Sequence, residues 1–390
     1  MRILPALMGA LAALWASTSL AASDPNQQSF LLALQAIGRG DYAVAIGILE
    51  PLSQLTGQAR VRLELARALY LDKQYKRARA EFMTVYYMKD LPYAVRRTIN
   101  TFLADIDQKA GFVQPSLGLA FDTNPSKAAG GGTYDIFGIP LQLSRQGGLD
   151  AIGLSYGADF AAPLGQANLS VVGNLDGAAY RFAGASYVSA DTAVRLSDNG
   201  LTGWSELGGA VYWRDRNVNI YTIYADRTGR IALPGGRQLV LTAQVARNQV
   251  TPLSDYDGFT FQGSADYAFD LGRNTAADVA VLGSRSTARI AVDERWEGAV
   301  LATVVQALPR LNKNLILAVG EDVTRYDAPD PFFGAIREDR ILRAQATVLH
   351  GAPIHGLFPG ISLTYERDDC TIPFYSYVRR AVMFELRRRF

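Results

Sequence analysis

Two hydrophobic periods run along this chain, and the change between them divides it. From Asn26 to about Ala110 apolar residues recur every 3.6 positions among good helix formers. From Phe112 onward they recur every second position. The first stretch also repeats itself. Leu32, Ala33, Tyr42, Ala45 and Leu49 return as Leu65, Ala66, Tyr75, Ala78 and Phe82, an offset of 33 positions throughout. That is close to the 34-residue tetratricopeptide period, and the residues match its packing positions. Alanine at 45 and 78 lets the second helix of each pair approach the first, with Tyr42 and Tyr75 beside it. Gly40-Asp41 and Asp72-Lys73 mark turns within the pairs. Tyr93 to Gln108, after Pro92, predicts a solo capping helix, giving about two and a half repeats. Stacks of this kind present concave grooves for peptides and proteins.

The second stretch alternates faces. Ile152, Leu154, Tyr156, Ala158 and Phe160 oppose Ala151, Gly153, Ser155, Gly157 and Asp159. Phe259, Phe261, Gly263, Ala265, Tyr267 and Phe269 oppose Thr260, Gln262, Ser264, Asp266 and Asp270. A second face that is small or polar suits a wet or plugged lumen. Such segments predict strands at 113–122, 149–160, 167–176, 187–196, 201–213, 218–227, 237–248, 258–270, 275–285, 294–306, 313–323, 338–348, 358–369 and 377–390. Fourteen is an even number, as bacterial outer-membrane barrels require. Turn-like joints alternate with a second set that includes the long 123–148 and the Pro-rich 324–337. With both termini periplasmic, the longer set faces outward. The competing reading is a soluble β-sandwich.

Both ends agree with the barrel. Arg2, the apolar run Ile3 to Leu14 and the small residues up to Ser19-Leu20-Ala21 predict a signal peptide cleaved near Ala21 or Ala22. No uninterrupted apolar run of about 18 residues follows Ser23. The last segment places Val378, Val382, Phe384, Leu386 and Phe390 on one parity, and Arg379, Met383, Glu385, Arg387 and Arg389 on the other. A terminal aromatic strand resembles the insertion signal of outer-membrane barrels. Arg380 and Arg388 break the apolar parity, which is costly at mid-bilayer and tolerable near an interface.

Composition excludes more than it selects. A net charge of +2 argues against an electrostatic nucleic-acid binder, and the single Cys370 excludes an internal disulfide framework. Nineteen tyrosines and seventeen phenylalanines suit aromatic girdles. Candidate chemistry is sparse. His350 and His355 fall in a predicted periplasmic turn and read as solvent-exposed. Glu366, Asp368 and Asp369 could attract a cation, but calcium loops need more oxygen ligands at regular spacing, so a solvated loop is expected. Gly130-Gly131-Gly132 is read as a mobile loop rather than a phosphate cradle. The expectation is a protein without catalytic residues, bound cofactor or metal, and not an enzyme.

Two local motifs carry a resemblance. Phe121-Asp122-Thr123-Asn124-Pro125 is similar to the aromatic-Asp-small-Asn start of the barrel in the surface lipoprotein assembly modulators. The aromatic pair between Phe374 and Tyr377 and the ending Arg388-Arg389-Phe390 are similar to that family's terminus. With the signal peptide, short repeats and fourteen strands, the chain resembles this outer-membrane translocator of the type XI secretion system. The resemblance implies a signal peptide at 1–22, a periplasmic tetratricopeptide-like domain at 23–110 and a transmembrane barrel at 111–390. It also implies carriage of a lipoprotein or soluble binding protein from periplasm to cell surface, with the repeats engaging cargo or a chaperone. Its expected partners are that cargo, outer-membrane lipid and the barrel-assembly machinery, with no nucleic acid. The alternative is a passive porin or polysaccharide-export barrel whose repeats bind assembly partners.

Overall fold

The computed structural model describes residues 24–88, 91–128, 132–136, 139–143, 151–165, 168–181, 185–198, 202–214, 218–351 and 357–387. The expected signal peptide, His355, Gly130, Gly131, Arg388 and Phe390 lie outside the described residues. Helices and barrel form separate compact units.

Five helices make up the first unit: α1 Pro25–Arg39, α2 Tyr42–Thr56, α3 Ala59–Leu71, α4 Tyr75–Tyr86 and α5 Tyr93–Ala110. Their ends follow local chemistry. Asp24 caps α1 by accepting from the Asn26 amide at 3.0 Å, and Pro25 occupies the first turn, where its missing N–H costs nothing. Gly40 then ends α1 in the left-handed region (φ 85°), which glycine adopts freely. Each helix packs on the next in chain order. The offset residues are its core: Ala33, Ala66, Ala45, Ala78, Leu49, Leu65 and Phe82 are all buried.

Leu32 differs. It is 55% exposed, whereas its counterpart Leu65 is 2% exposed. A repeat buries its outer face only against a preceding neighbour, and α1 is the first helix described. Burial of Phe82 includes a stacked contact with Phe102 of α5 at 5.0 Å between ring centroids. A polar clasp crosses the same packing. The Tyr70 hydroxyl donates to Asp105 Oδ2 at 2.7 Å, and Lys109 Nζ meets that carboxylate at 2.7 Å. Burial, then the Asp105 charge, pushes the Tyr70 phenol well above its ordinary range.

The second unit is a closed barrel of fourteen antiparallel strands among the described residues, with one small hairpin outside its ring. The strands are β1 Phe112–Asp122, β4 Ala151–Pro163, β5 Leu169–Tyr180, β6 Tyr187–Ser197, β7 Gly203–Arg214, β8 Val218–Ala232 and β9 Gln238–Thr251. They continue with β10 Gly258–Gly272, β11 Thr275–Ser286, β12 Arg295–Leu308, β13 Lys313–Pro329, β14 Ile336–His350, β15 Phe358–Cys370 and β16 Tyr377–Arg387. The hairpin, β2 Gly132–Ile136 with β3 Ile139–Leu143, lies inside what reads in the sequence as one long connection. Gly132 is therefore a strand residue, not loop.

Ring closure follows from β1. It pairs with β16 from Ser116↔Arg387 to Asp122↔Ala381 and meets β4 on its other side. There the two strands approach so closely that a Cβ on Gly118 would stand 2.4 Å from Ser155 Oγ. One on Gly157 would stand 2.7 Å from Ser116 Oγ. A larger residue at either position would force the facing serine side chain aside.

Several strands run past their predicted ends. β13 continues to Pro329 rather than 323, β5 to Tyr180 rather than 176, and β8 to Ala232 rather than 227. The added β13 segment, Thr324-Arg325-Tyr326-Asp327, is polar on both faces. Backbone pairing continues beyond the height at which one face must be apolar.

Candidate functional site

Alternation sorts every strand into an outer and an inner face. On β1, Leu117, Leu119 and Phe121 are exposed, while Gly118, Ala120 and Asp122 are buried. The register carries this parity around the ring, placing Ile223, Leu207 and Trp296 outward at 67%, 64% and 61% exposure. An apolar belt this continuous has no place in water, and a closed barrel leaves no unpaired edge in lipid. No described helix is long and apolar enough to cross a membrane.

The inner face is polar, and its two walls differ. Along β4 to β8, β10 and β11 it carries Asp159, Asp176, Asp191, Glu206, Asp226, Asp266 and Asp278. The same arc holds Arg195, ion-paired with Glu206, and Arg230, whose guanidinium covers the Trp204 ring at 4.6 Å. Of the seven carboxylates only Glu206 makes an ion pair among the described residues. Glu206 and Asp226 even stand directly opposite each other on β7 and β8. Like charges in that relation are destabilising, and a wet lumen relieves the repulsion.

On the other wall most carboxylates are paired. Arg343 on β14 bridges Asp322 on β13 and Glu366 on β15, the latter at 3.3 Å. Glu366 also accepts from the Tyr377 hydroxyl and pairs with Lys127 Nζ at 2.9 Å. Asp122, its side chain fully buried, receives Arg379 Nη2 at 2.7 Å and Nε at 2.8 Å. Tyr180 of β5 donates to the same oxygen at 3.5 Å.

This second wall holds a turn of the chain in the lumen. The other Asp122 oxygen accepts from the Asn124 amide at 2.9 Å, an Asx-type turn just past β1. Asn124 is buried, and its side chain bonds the Ala128 backbone in both directions at 2.8 and 2.9 Å. The next residues reach both walls. Lys127 pairs with Glu366 on β15, while Arg214 Nη2 on β7 donates to the Ser126 carbonyl at 2.7 Å. These strands lie six steps apart one way round the ring and eight the other. The turn Asn124–Ala128 thus meets side chains from both walls near the rim opposite to the one where α5 leads into β1.

The expected site residues fall as follows. Glu366 and Asp368 do not lie in a solvated loop; both sit on β15, buried and facing the lumen. They escaped notice because the predicted strand end at 369 leaves them inside a charged run, Glu366 to Asp369, that reads as solvated. Asp369 is exposed and pairs with Arg367 at 2.8 Å. His350 closes β14, opposite Lys313. Cys370 accepts from the Ile372 amide at 3.3 Å. Among the described residues no three His, Cys, Asp or Glu side chains are grouped to hold a metal ion. The carboxylate arc was missed as a unit; only its alternating placement on each strand could have revealed it.

No protein-family model matches the chain, and no curated protein matches it. Solved structures similar to it include the outer membrane channel DcaP of Acinetobacter baumannii. That likeness has 13% identity and a TM-score of 0.40, and covers 71% of this chain and 96% of that one. A bacterial polysaccharide outer membrane secretin is similar at 10% identity and a TM-score of 0.36, covering 71% and 98%. OccK3 (OpdO) of Pseudomonas aeruginosa is similar at 11% identity and a TM-score of 0.36, covering 70% and 94%. Likeness at this level carries no argument about what this barrel conveys. The apolar belt, closed ring and polar lumen stand on this chain's own residues: it is an outer-membrane β-barrel of the Gram-negative type.

Proposed function

We propose that this chain is an outer-membrane translocator that carries a lipoprotein or soluble binding protein from the periplasm to the cell surface. The helical repeats engage the cargo, or a chaperone that delivers it, on the periplasmic side. The observation that supports this reading most is covalent. α5 ends at Ala110 and β1 begins at Phe112, so Gly111 alone joins a protein-binding type of helical stack to the first barrel strand. Passage draws on no catalytic residue or nucleotide. The lumen offers a polar wall for a polypeptide to slide along. The test is surface labelling of a candidate cargo, encoded beside this gene, in cells with and without the protein. Equal display in both would remove the proposal.

The carboxylate arc favours a second reading, a passive porin or polysaccharide-export barrel with a partner-binding repeat unit. Unpaired carboxylates on one wall make a cation-preferring conduit. Conductance in planar bilayers with strong cation preference, together with cargo display that does not depend on the protein, would select this alternative.

A further inference from the structure

Asp368 stands apart from the other carboxylates of its wall. It lies two residues before the end of β15, between Arg367 and Asp369, which pair on the outer face at 2.8 Å. A strand level whose outward residues are charged lies beyond the apolar belt. Asp368 itself faces the lumen and is 4% exposed. Its Oδ1 is sealed from solvent and has no hydrogen-bond partner among the described residues.

The register accounts for that. Directly opposite Asp368 are Ile341 on β14, which has no donor, and Tyr377 on β16, whose hydroxyl donates to Glu366. Glu366 and Cys370 flank it on the same face of β15. Tyr375, in the turn after β15, donates to Asp330 at 2.8 Å. The neighbouring cations are committed as well. Arg337 gives Nε and Nη2 to the two oxygens of Asp339 at 3.0 and 2.9 Å, its guanidinium over the Tyr375 ring at 3.9 Å. Arg343 bridges Asp322 and Glu366, Lys127 pairs with Glu366, and Arg379 pairs with Asp122. Four cations therefore meet five carboxylates, Asp122, Asp322, Asp339, Glu366 and Asp368, and the last is left over. Asp339 and Glu366 are 5% and 4% exposed, so water does little to screen their charges from it.

We infer that Asp368 carries a proton in the folded barrel and acts as a pH-sensitive switch at this end of the lumen. A buried carboxylate with no partner is costly, and it relieves the cost by binding a proton. Negative neighbours act in the same direction. An oxygen sealed from solvent has no room beside it for a hydrated cation, whereas a proton needs none. In weakly acid medium the carboxyl is neutral, and the ion pairs around it balance at four cations to four anions. As the medium turns alkaline the O–H bond breaks, its electron pair stays on the carboxylate, and the proton passes to lumen water. The new charge then repels Asp339 and Glu366. Glu366 is the residue that holds Lys127, so this repulsion loosens the hold on the Asn124–Ala128 turn.

The test compares the purified full chain in phosphatidylcholine bilayers with Asp368→Asn, which keeps the shape of the neutral acid. The heat-modifiable band checks that the variant is folded. At about pH 5, where free aspartic acid is already ionised, the parent's infrared spectrum should show a carboxylic-acid carbonyl band. That band should fade toward about pH 8 and be missing from the variant. Urea unfolding reads the sign independently. The unfolded chain loses this proton first, so the stability it supplies is full below about pH 4 and is lost as pH rises until the folded carboxyl ionises too. Each pH unit in that window lowers the parent's folding equilibrium by up to about tenfold. The variant-to-parent ratio of folding equilibrium constants should therefore rise at least about tenfold between about pH 4 and about pH 8. A parent spectrum without the acid band overturns the inference, whatever the variant does. So does a band that persists in Asp368→Asn, or a folded variant whose stability ratio stays flat or falls as pH rises.

Discussion

Asp122→Ala should weaken the barrel more than any other single change near the ring's closure. The Asp122 side chain is fully buried and Arg379 is about one quarter exposed. Two charge-assisted hydrogen bonds, at 2.7 and 2.8 Å, join them. Hydrogen bonds to charged groups contribute about 1.5–3 kcal/mol each, and removing one partner of a buried pair costs about 3–5 kcal/mol. The lumen is wet and Arg379 keeps some solvent, so the low end applies. We expect a loss of about 3 kcal/mol, roughly two decades in the unfolding equilibrium. Part of that loss is the turn made when Asp122 accepts from the Asn124 amide. Arg379→Ala should cost less, because it leaves that turn in place. The double variant should show a coupling of about 2 kcal/mol. The assay is urea unfolding of the barrel in phosphatidylcholine bilayers, followed by fluorescence of Trp204, Trp213 and Trp296. A loss under about 0.5 kcal/mol for Asp122→Ala, or a coupling that small, would refute the reasoning.

Three further outcomes are expected. Ala45→Trp or Ala78→Trp should overfill fully buried positions and destabilise the repeats by about 1–3 kcal/mol, read as faster hydrogen exchange in α2 and α4 of the full chain. Lys127→Ala with Arg214→Ala should loosen the Asn124–Ala128 turn in the lumen and raise single-barrel conductance in planar bilayers. Glu206→Gln with Asp226→Asn should move the reversal potential in a potassium chloride gradient toward that of an unselective pore, because these opposed carboxylates belong to the uncompensated wall.

Much of the fold was legible because both periods are local. The 33-residue offset picked out Ala45, Ala78, Leu49 and Phe82, all of them core, because a repeat stack buries equivalent positions in successive units. Alternation located all fourteen barrel strands for a similar reason: each must face lipid on one side. Where that requirement lapses the signal lapses too. The far-rim end of β13 is polar on both faces, so it reads as connection, and Glu366 and Asp368, although inside the predicted strand 358–369, read as solvated because Arg367 and Asp369 beside them are charged too. The β2–β3 hairpin is only five residues on each side and contains Pro140, too short for a period to declare itself. The carboxylate arc was illegible for another reason. Glu206 and Asp226 are 20 positions apart, and only the register sets them side by side. The Phe121–Pro125 motif was visible as a resemblance. That Asp122 clamps Arg379 from the far end of the chain required the ring to close.

The central claim, that repeats and barrel act together in moving cargo, is tested most directly by a chain that keeps the signal segment and lacks Asn26 to Gln108. It should still insert, because every barrel strand is untouched, so its heat-modifiable band should match the parent's. The measurement is surface cargo per inserted barrel, by labelling intact cells and normalising to that band. The account predicts severalfold less display from the shortened chain. Display equal to the parent's would contradict it.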